Sequence, residues 1–235
     1  MNSGIVTMEN KLSLIIFDCD GTIVDSQSTI IGIVKQTFIT HNCKMPSLAK
    51  IRDGIGLELS NALEKLLPND HNVDVNSLCK TYRRLSQVNR LNNNFQDPLY
   101  PNAKKVIIKL ANTNFLLGIA TGKSRSGLDF VLKNENIDDL FITKQTSDSA
   151  AGKPNPEMIH NSIRDTGVDA SNVFMIGDTT YDMEMAKNAQ VTGIGVSWGY
   201  HKKDALKNAG AKYIFNDYIE LGQFFEMYSK SSDYL

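Results

Sequence analysis

Six short apolar runs divide the chain at intervals typical of buried strands. They lie at residues 12–18, 115–121, 141–143, 172–178, 192–198 and 212–215. Several are apolar nearly throughout, without the alternation of a strand that has one solvent-facing side, which is typical of parallel strands covered on both faces. From residue 100 onward, helical segments separate the runs. The pattern predicts a doubly wound, Rossmann-like α/β core with a mostly parallel sheet.

One of the separating helices is marked clearly. Its apolar residues recur at the i, i+3, i+4, i+7 and i+8 spacing, at Ala103, Val106, Ile107, Leu110 and Ala111. Pro101 precedes them, and proline is favoured in the first turn of a helix. We therefore predict a helix that opens at Pro101 and packs its apolar stripe on the sheet.

The block at 27–98, between the first two runs, shows helical periodicity and no strand signal. Its stripes are Ile30, Ile31, Val34 and Phe38, then Leu59, Leu63, Leu66 and Leu67, then Val75, Leu78, Tyr82 and Leu85. The block is too long for a simple βα connection and too regular for a loop. We predict a small all-helical cap at 27–98, inserted into a core formed by residues 11–26 and 99–235. The second and third stripes are expected to be cap core and not binding surface.

The composition narrows the classes of partner. With 25 basic and 26 acidic side chains and a net charge of -1, the chain lacks the basic excess of a nucleic-acid or acidic-membrane binder. Its three cysteines have no framework spacing, which indicates a reducing compartment. Residues 1–11 show no signal-peptide pattern and no run is long enough for a bilayer. We expect a cytoplasmic protein, monomeric or homodimeric.

Carboxylates follow two of the predicted strands. Asp18 and Asp20, with Gly21 after them, end the first run, while Asp178 ends the fourth and Asp182 follows one helical turn later. Open α/β sheets bind ligands at the carboxyl ends of their strands. Clustered carboxylates repel one another unless a cation neutralises them, and Mg²⁺ prefers oxygen ligands. Any one aspartate alone is explained as a turn or helix-cap residue, but two clusters at strand ends favour a metal site.

Two further segments add groups that suit a phosphate. Thr121 offers a hydroxyl at the end of the second run, and the backbone after it offers N–H groups; an ordinary helix N-cap is the alternative reading of this threonine. Lys153 stands just before a helix start, with Asn155 as N-cap and Pro156 at the first helical position. A lone lysine is usually a solvated surface charge, but a cation here would offset a transferring phosphoryl group.

Four motifs carry a resemblance to a known family. DCDGT at 18–22, ATGKS at 120–124, GKPNP at 152–156 and GDTTYD at 177–182 follow the order of the four motifs of the haloacid dehalogenase-like phosphohydrolases. The resemblance covers almost the whole chain, because the helical block falls where these proteins carry a helical cap. Several stretches, including LYPNAKKVIIKL and TSDSAAGKPNPEM, are most similar to the phosphoglycolate phosphatase group.

The resemblance implies a set of roles. Asp18 would be the nucleophile, and Asp20 the acid and base. Mg²⁺ would be held by Asp18, the main-chain carbonyl of Asp20 and Asp178, with Asp182 acting behind them on metal-bound water or on Lys153. Phosphoryl oxygens would be bound by Thr121 and the Gly122 N–H, while Lys153 neutralises developing charge.

The implied function is a Mg²⁺-dependent phosphatase of a small phosphorylated metabolite, with 2-phosphoglycolate favoured. A β-phosphoglucomutase-like phosphotransferase and a pyrophosphatase remain alternatives on the same chemistry. A receiver-like module that is phosphorylated on aspartate without turnover is the non-enzymatic alternative, although receivers carry no such insert. In the cap, IRDGIGLEL at 51–59 resembles the loop that faces the core site, so Arg52 and Gly56 are candidate substrate residues; a surface position is the alternative for Arg52.

Overall fold

The computed structural model describes residues 12–69, 71–92 and 97–232. Residues 1–11, where no signal pattern was found, and the outer limits 11 and 235 of the expected core lie outside this part. Among the helices of the described residues, none combines the length and the apolar character that crossing a bilayer requires.

Strands and helices alternate along the second half of the chain and not along the first. The strands are β1 Ser13–Phe17, β2 Phe115–Thr121, β3 Thr143–Thr146, β4 Val173–Gly177, β5 Thr192–Val196 and β6 Tyr213–Phe215. The helices are α1 Gln27–Thr40, α2 Leu48–Gly54, α3 Leu59–Leu66, α4 Val75–Leu91, α5 Ala103–Ala111, α6 Arg125–Asn134, α7 Glu157–Thr166, α8 Thr180–Asn188, α9 Lys203–Ala209 and α10 Tyr218–Ser232.

The six strands form one parallel sheet in the order β3-β2-β1-β4-β5-β6. This confirms the predicted doubly wound α/β core. Strand β1 is central, and Phe17 near its end pairs with Ile119 of β2 and Ile176 of β4. Parallel strands end at the same edge of the sheet. The residues that follow β1, β2 and β4 therefore meet at the topological switch point, where the strand order reverses.

The sequence of β1 lacks alternating polar residues because helices cover both faces of this strand. Ile15 and Phe17 belong to the apolar cluster that also contains residues of α5, α6 and α10. Leu14 and Ile16 point to the opposite face and belong to a second cluster with residues of α7 and α8. Both faces of the strand are therefore covered by helices, and every position is buried.

Helices α1 to α4 form the helical insert between β1 and β2. They pack on one another around a third apolar cluster that includes Phe38, Ile51, Leu63 and Leu78. Helix α2 has seven residues, too few to show a periodic stripe in the sequence. The division between cap and core at residues 27 and 98 stays a prediction.

The two connections between this insert and the core run side by side. Val24 and Leu99 form an antiparallel bridge. The Asp25 N–H donates to the Pro98 carbonyl at 2.9 Å, and the Tyr100 N–H donates to the Ile23 carbonyl at 3.0 Å. The chain thus enters and leaves the insert through one hydrogen-bonded pair of segments.

Three local expectations were wrong by a few residues. The third run was placed at 141–143, but the strand spans Thr143–Thr146; it lies at the edge of the sheet and contains Lys144 and Gln145, so apolar character does not mark it. Helix α5 begins at Ala103 because Pro101 belongs to the preceding turn. Helix α7 begins after Pro156, and Asn155 accepts from the Glu157 N–H at 3.0 Å without being the N-cap.

Candidate active site

Asp18 is held rigidly where β1 ends. Its N–H donates to the carbonyl of Ile176 in β4 at 2.9 Å, which continues the ladder one residue past the strand. Its Oδ1 accepts from the Cys19 N–H at 2.7 Å and from Lys153 Nζ at 2.8 Å. Its Oδ2 is buried and has no hydrogen-bond partner among the described residues. A buried carboxylate oxygen without a partner is costly, so this atom marks a place for a ligand.

Lys153 lies between two carboxylates and is not a surface lysine. Its side chain is fully buried, and Nζ donates to Asp182 Oδ1 at 2.6 Å as well as to Asp18. Asp182 Oδ2 accepts from the N–H and the hydroxyl of Thr179, at 3.0 and 2.7 Å, within a capping box that starts α8. Both oxygens of Asp182 are therefore already bound by protein groups.

Asp178 completes a cluster of carboxylates at the end of β4. Its Oδ1 accepts from Thr22 Oγ1 at 2.9 Å, and its Oδ2 accepts from the Tyr200 N–H at 2.8 Å. Carboxylate oxygens of Asp18, Asp178 and Asp182 lie within 4.8 Å of one another, and all three residues are buried. A donor set made only of oxygen suits a hard divalent cation such as Mg²⁺.

Burial and mutual repulsion disfavour the charged carboxylates of the cluster. Burial raises the pKa of the Asp18 carboxyl to about 7; Lys153 acts in the opposite direction, and Asp182 raises it further. Burial, followed by Asp182 and Asp18, raises the pKa of Asp178 well above its usual range. Burial alone would lower the pKa of Lys153, but the two carboxylates beside it raise it. A cation in the cluster would favour the charged carboxylates.

Asp20 faces a different set of groups from Asp18. Its Oδ1 accepts from Ser26 Oγ at 2.5 Å and from Lys123 Nζ at 2.8 Å. Ser26 Oγ also lies 3.2 Å from the hydroxyl of Tyr200. Burial opposes the charge on Lys123, but Asp20 raises the pKa of the lysine above its usual range. Neither Lys123 nor Ser26 was predicted as a site residue, although Lys123 lies within the ATGKS motif.

Thr121 and Gly122 follow β2 beside these aspartates. Thr121 is buried, and its hydroxyl oxygen accepts from the Lys123 N–H at 3.2 Å. The N-cap of α6 is Ser124, which accepts from the Gly127 N–H at 3.3 Å. The alternative reading of Thr121 as that cap is therefore wrong.

The insert touches the core through the segment at 55–58. A Cβ atom at Gly122 would lie 2.8 Å from the Leu57 carbonyl oxygen. Gly56 has φ +98, a conformation that favours glycine, and its Cβ position lies 3.3 Å from the Thr179 side chain. Gly56 thus fits between two core loops at the site, and its role toward the substrate stays a prediction.

A cavity of about 830 Å³ lies between the insert and the core. Asp18, Asp20, Thr121 and Gly122 line it, and Gly56 contributes from the cap. Arg52 is exposed and does not line it, because the buried face of α2 carries Ile51 and Gly54. The cap thus presents Gly56 to the cavity, and Arg52 occupies the surface position that was its alternative.

The second and third cap stripes pack in the cap core, and several of their residues also border the cavity. Leu59, Leu63 and Leu66 of α3 and Tyr82 of α4 line the cavity while also packing in the cap cluster. On the same side as Tyr82, α4 adds polar groups, including Ser86 and Arg90. Periodicity reveals a packed stripe but not a neighbouring void.

The chain is similar in sequence to several known proteins, over most of its length. A probable phosphatase, IndB of Dickeya dadantii, is 33% identical over 88% of this chain and 91% of the relative. A phosphoglycolate phosphatase of Vibrio cholerae and the pyrophosphatase PpaX of Oceanobacillus iheyensis are 24% and 26% identical, each over 88% of this chain and 94% of the relative.

A solved structure with a similar fold and a family model that matches the sequence both come from the haloacid dehalogenase-like hydrolases. A solved hydrolase of the haloacid dehalogenase-like family from Streptococcus pneumoniae superposes with a TM-score of 0.80, over 92% of this chain and all of that chain, at 24% identity. The model of the haloacid dehalogenase-like hydrolases matches residues 15–196, from β1 to the end of β5. The chain therefore belongs to the haloacid dehalogenase-like hydrolase family.

Proposed function

We propose that the protein is a Mg²⁺-dependent phosphatase that hydrolyses a small phosphorylated metabolite through an aspartyl-phosphate at Asp18. The observation that carries this proposal is the state of the Asp18 carboxylate. One oxygen is fixed by Lys153 and the Cys19 N–H, while the other is buried and has no partner in the part of the chain that the structure describes; Asp18 lines the cavity. A fixed carboxylate with one free oxygen is arranged for attack on an electrophile.

In the first step, an Asp18 oxygen forms a bond to phosphorus as the bond from phosphorus to the alcohol oxygen breaks. Asp20 donates a proton to that alcohol oxygen as it leaves. Asp20 lines the same cavity as Asp18 and follows it by two residues, which supports this role. Splitting the hydrolysis in this way replaces one difficult step by two easier ones.

In the second step, Asp20 takes a proton from a water molecule, whose oxygen attacks phosphorus. The bond from phosphorus to the Asp18 oxygen breaks, which releases inorganic phosphate and restores the carboxylate. Thr121 and the Gly122 N–H hold phosphoryl oxygens, and the Lys153 charge offsets their negative charge. The burial of Lys153 strengthens this effect because no solvent screens it.

The residues present fit a Mg²⁺ ion, since carboxylate oxygens of Asp18, Asp178 and Asp182 lie within 4.8 Å of one another and form a donor set of oxygen alone. Asp18, Asp178 and the main-chain carbonyl of Asp20 would hold it. When bound, the ion would supply positive charge to the clustered carboxylates and to the phosphoryl oxygens. Asp182 acts instead on Lys153, because both of its oxygens are bound by Lys153 and Thr179.

Two phosphorylated compounds are candidate substrates. The sequence resemblance favours 2-phosphoglycolate, and the Vibrio cholerae relative is named for that activity. The Oceanobacillus iheyensis relative, at a similar identity, is named a pyrophosphatase. Pyrophosphate is therefore the second candidate substrate, to be assayed beside 2-phosphoglycolate.

The test of the mechanism is Asp18→Asn, assayed with p-nitrophenyl phosphate and Mg²⁺. We expect turnover to fall at least about 10³-fold, with Asp139→Asn, an exposed aspartate outside the cavity, as the control. Intact-mass spectrometry of Asp20→Asn with the same substrate is expected to show one added phosphoryl group. Wild-type turnover by Asp18→Asn would sink the assignment.

Product analysis of the wild type separates the alternatives. Release of inorganic phosphate from a metabolite supports the phosphatase. An isomerised sugar phosphate without free phosphate would instead identify a phosphotransferase, and a stable phosphorylated protein without turnover would identify a signalling module.

A further inference from the structure

The cavity extends well beyond the residues that the proposed reaction uses. Asp18, Asp20, Thr121 and Gly122 occupy one part of its lining. Its volume of about 830 Å³ lies in the upper part of the range of sites that enclose organic ligands of many atoms. The two-carbon part of 2-phosphoglycolate, and the second phosphate of pyrophosphate, would fill little of that space.

The additional space has an apolar wall that belongs to the cap. The wall is formed by α1 and α3, mainly through Ile30 and Leu59, which are only half-buried, so that part of their surface faces the open cavity. The other apolar lining residues of these helices, Ile33, Val34, Leu63 and Leu66, are almost fully buried and support the wall from behind. The cations that line the cavity, including Lys123 and Arg90, lie on other elements, so a carboxylate or a phosphate placed against Ile30 and Leu59 would lose water without gaining a partner there, which is costly.

Apolar surface facing a cavity lowers free energy only when an apolar group covers it. The wall and the reaction centre line the same cavity, so one bound molecule can contact both. Its natural occupant is the alcohol part of the phosphate ester, because that part extends away from the phosphorus atom that Asp18 attacks.

We infer that the substrate is a phosphate monoester whose alcohol part is a ring-sized group with an apolar face, covered by α1 and α3 when it is bound. This inference rests on the proposed phosphatase function and names the substrate class of the same site. It predicts a larger alcohol part than that of 2-phosphoglycolate, the substrate that the sequence favours.

The test compares three esters of primary alcohols, so that the reactivity of the leaving group stays similar: benzyl phosphate, ethyl phosphate and 2-phosphoglycolate. Released phosphate is measured with the full-length protein and Mg²⁺. We expect kcat/KM for benzyl phosphate to exceed that for each of the other two at least about tenfold, because only the benzyl ring covers the apolar wall.

Matched variants connect this preference to the wall. Ile30→Asn changes the half-buried residue of α1 that lines the cavity, and Ile39→Asn changes an exposed isoleucine of the same helix that does not line it. Ile30→Asn is expected to lower kcat/KM for benzyl phosphate at least about fivefold and to change that for ethyl phosphate less than about twofold. Leu59→Asn repeats the test from α3 if Ile30→Asn does not fold.

The outcomes separate the two proposals. If ethyl phosphate or 2-phosphoglycolate is hydrolysed as efficiently as benzyl phosphate, the inference is wrong and the phosphatase function stands. Equal losses for benzyl and ethyl phosphate in both wall variants also contradict the inference. If none of the three esters, nor p-nitrophenyl phosphate, is hydrolysed, the proposed function itself fails.

Discussion

Lys153 is the single residue on which the geometry of the site most depends. It is fully buried and lies within 2.8 Å of Asp18 and 2.6 Å of Asp182. Removing one member of a buried ion pair leaves a charge that neither solvent nor protein compensates. Lys153 therefore orients Asp18 and stabilises the carboxyl edge of the sheet at the same time.

Lys153→Met is expected to lower the free energy of unfolding by about 3–5 kcal/mol. The same change is expected to lower turnover at least about 100-fold, because the charge that offsets the phosphoryl group is lost. Urea denaturation and initial rates measure the two effects. Lys104→Met is the control, since its ion pair with Glu135 is exposed and contributes little. Similar stability of both variants would contradict the role of Lys153.

Lys123 is the second lysine whose loss should be measurable. It holds Asp20 at 2.8 Å and lines the cavity. We expect Lys123→Met to lower kcat/KM about 10–100-fold, the range for loss of one charged hydrogen bond. Lys123→Arg, which keeps the charge, is expected to recover part of that loss. An unchanged rate in Lys123→Met would show that Asp20 needs no such partner.

At the scale of elements, closure of the cap on the core is made in part by the segment between α2 and α3. Gly56 lies against Thr179, Leu57 lies against Gly122, and a Cβ atom at Gly152 would lie 2.7 Å from the Glu58 side chain. The segment thus packs against three core loops, and any displacement of the segment changes all three contacts.

Gly56→Ala is expected to weaken this closure. Alanine at φ +98 costs on the order of 1–3 kcal/mol, which we expect to lower kcat/KM about 5–100-fold. Gly54→Ala, two residues earlier, is the control because its Cβ would meet neighbours only at 3.8–3.9 Å. Steady-state kinetics of both variants make the comparison, and equal effects would argue against a specific role of Gly56.

At the scale of the whole molecule, the net charge of -1 averages over a buried acidic cluster. The chain is nearly neutral because basic and acidic side chains are almost equal in number. They are not evenly mixed in space, however. Asp18, Asp178 and Asp182 meet at one edge of the sheet, where burial raises the pKa of the first two. A cation bound only by the folded protein would therefore stabilise the entire fold.

We expect Mg²⁺ to raise the melting temperature of protein that a chelator has stripped of metal. At a concentration of 100 times the dissociation constant, the gain is about 2.7 kcal/mol. Thermal unfolding measures it without any substrate. Asp178→Asn is expected to abolish most of the shift, whereas Asp139→Asn keeps it. A shift of the same size in both variants would place the ion elsewhere.

The sequence predicted the parallel sheet because strands buried on both faces are apolar throughout, as β1 shows. It also pointed to Asp18 and Asp178, since strand ends follow directly from the strands. It placed β3 two to three residues too early, because the edge position of this strand permits polar residues. It did not reveal the pairing of Asp20 with Lys123 or the apolar wall of the cavity, because both depend on how segments distant in sequence approach one another.

The paired connections at Val24–Leu99 and Asp25–Pro98 have a mechanical consequence. Two adjacent, hydrogen-bonded crossings restrain the cap much more than a single flexible linker would, and they favour rotation about one hinge axis. A rotation of that kind lifts the segment at 55–58 from Gly122 and Thr179 together. If the cap moves in this way, product departure and solvent entry share one gating motion.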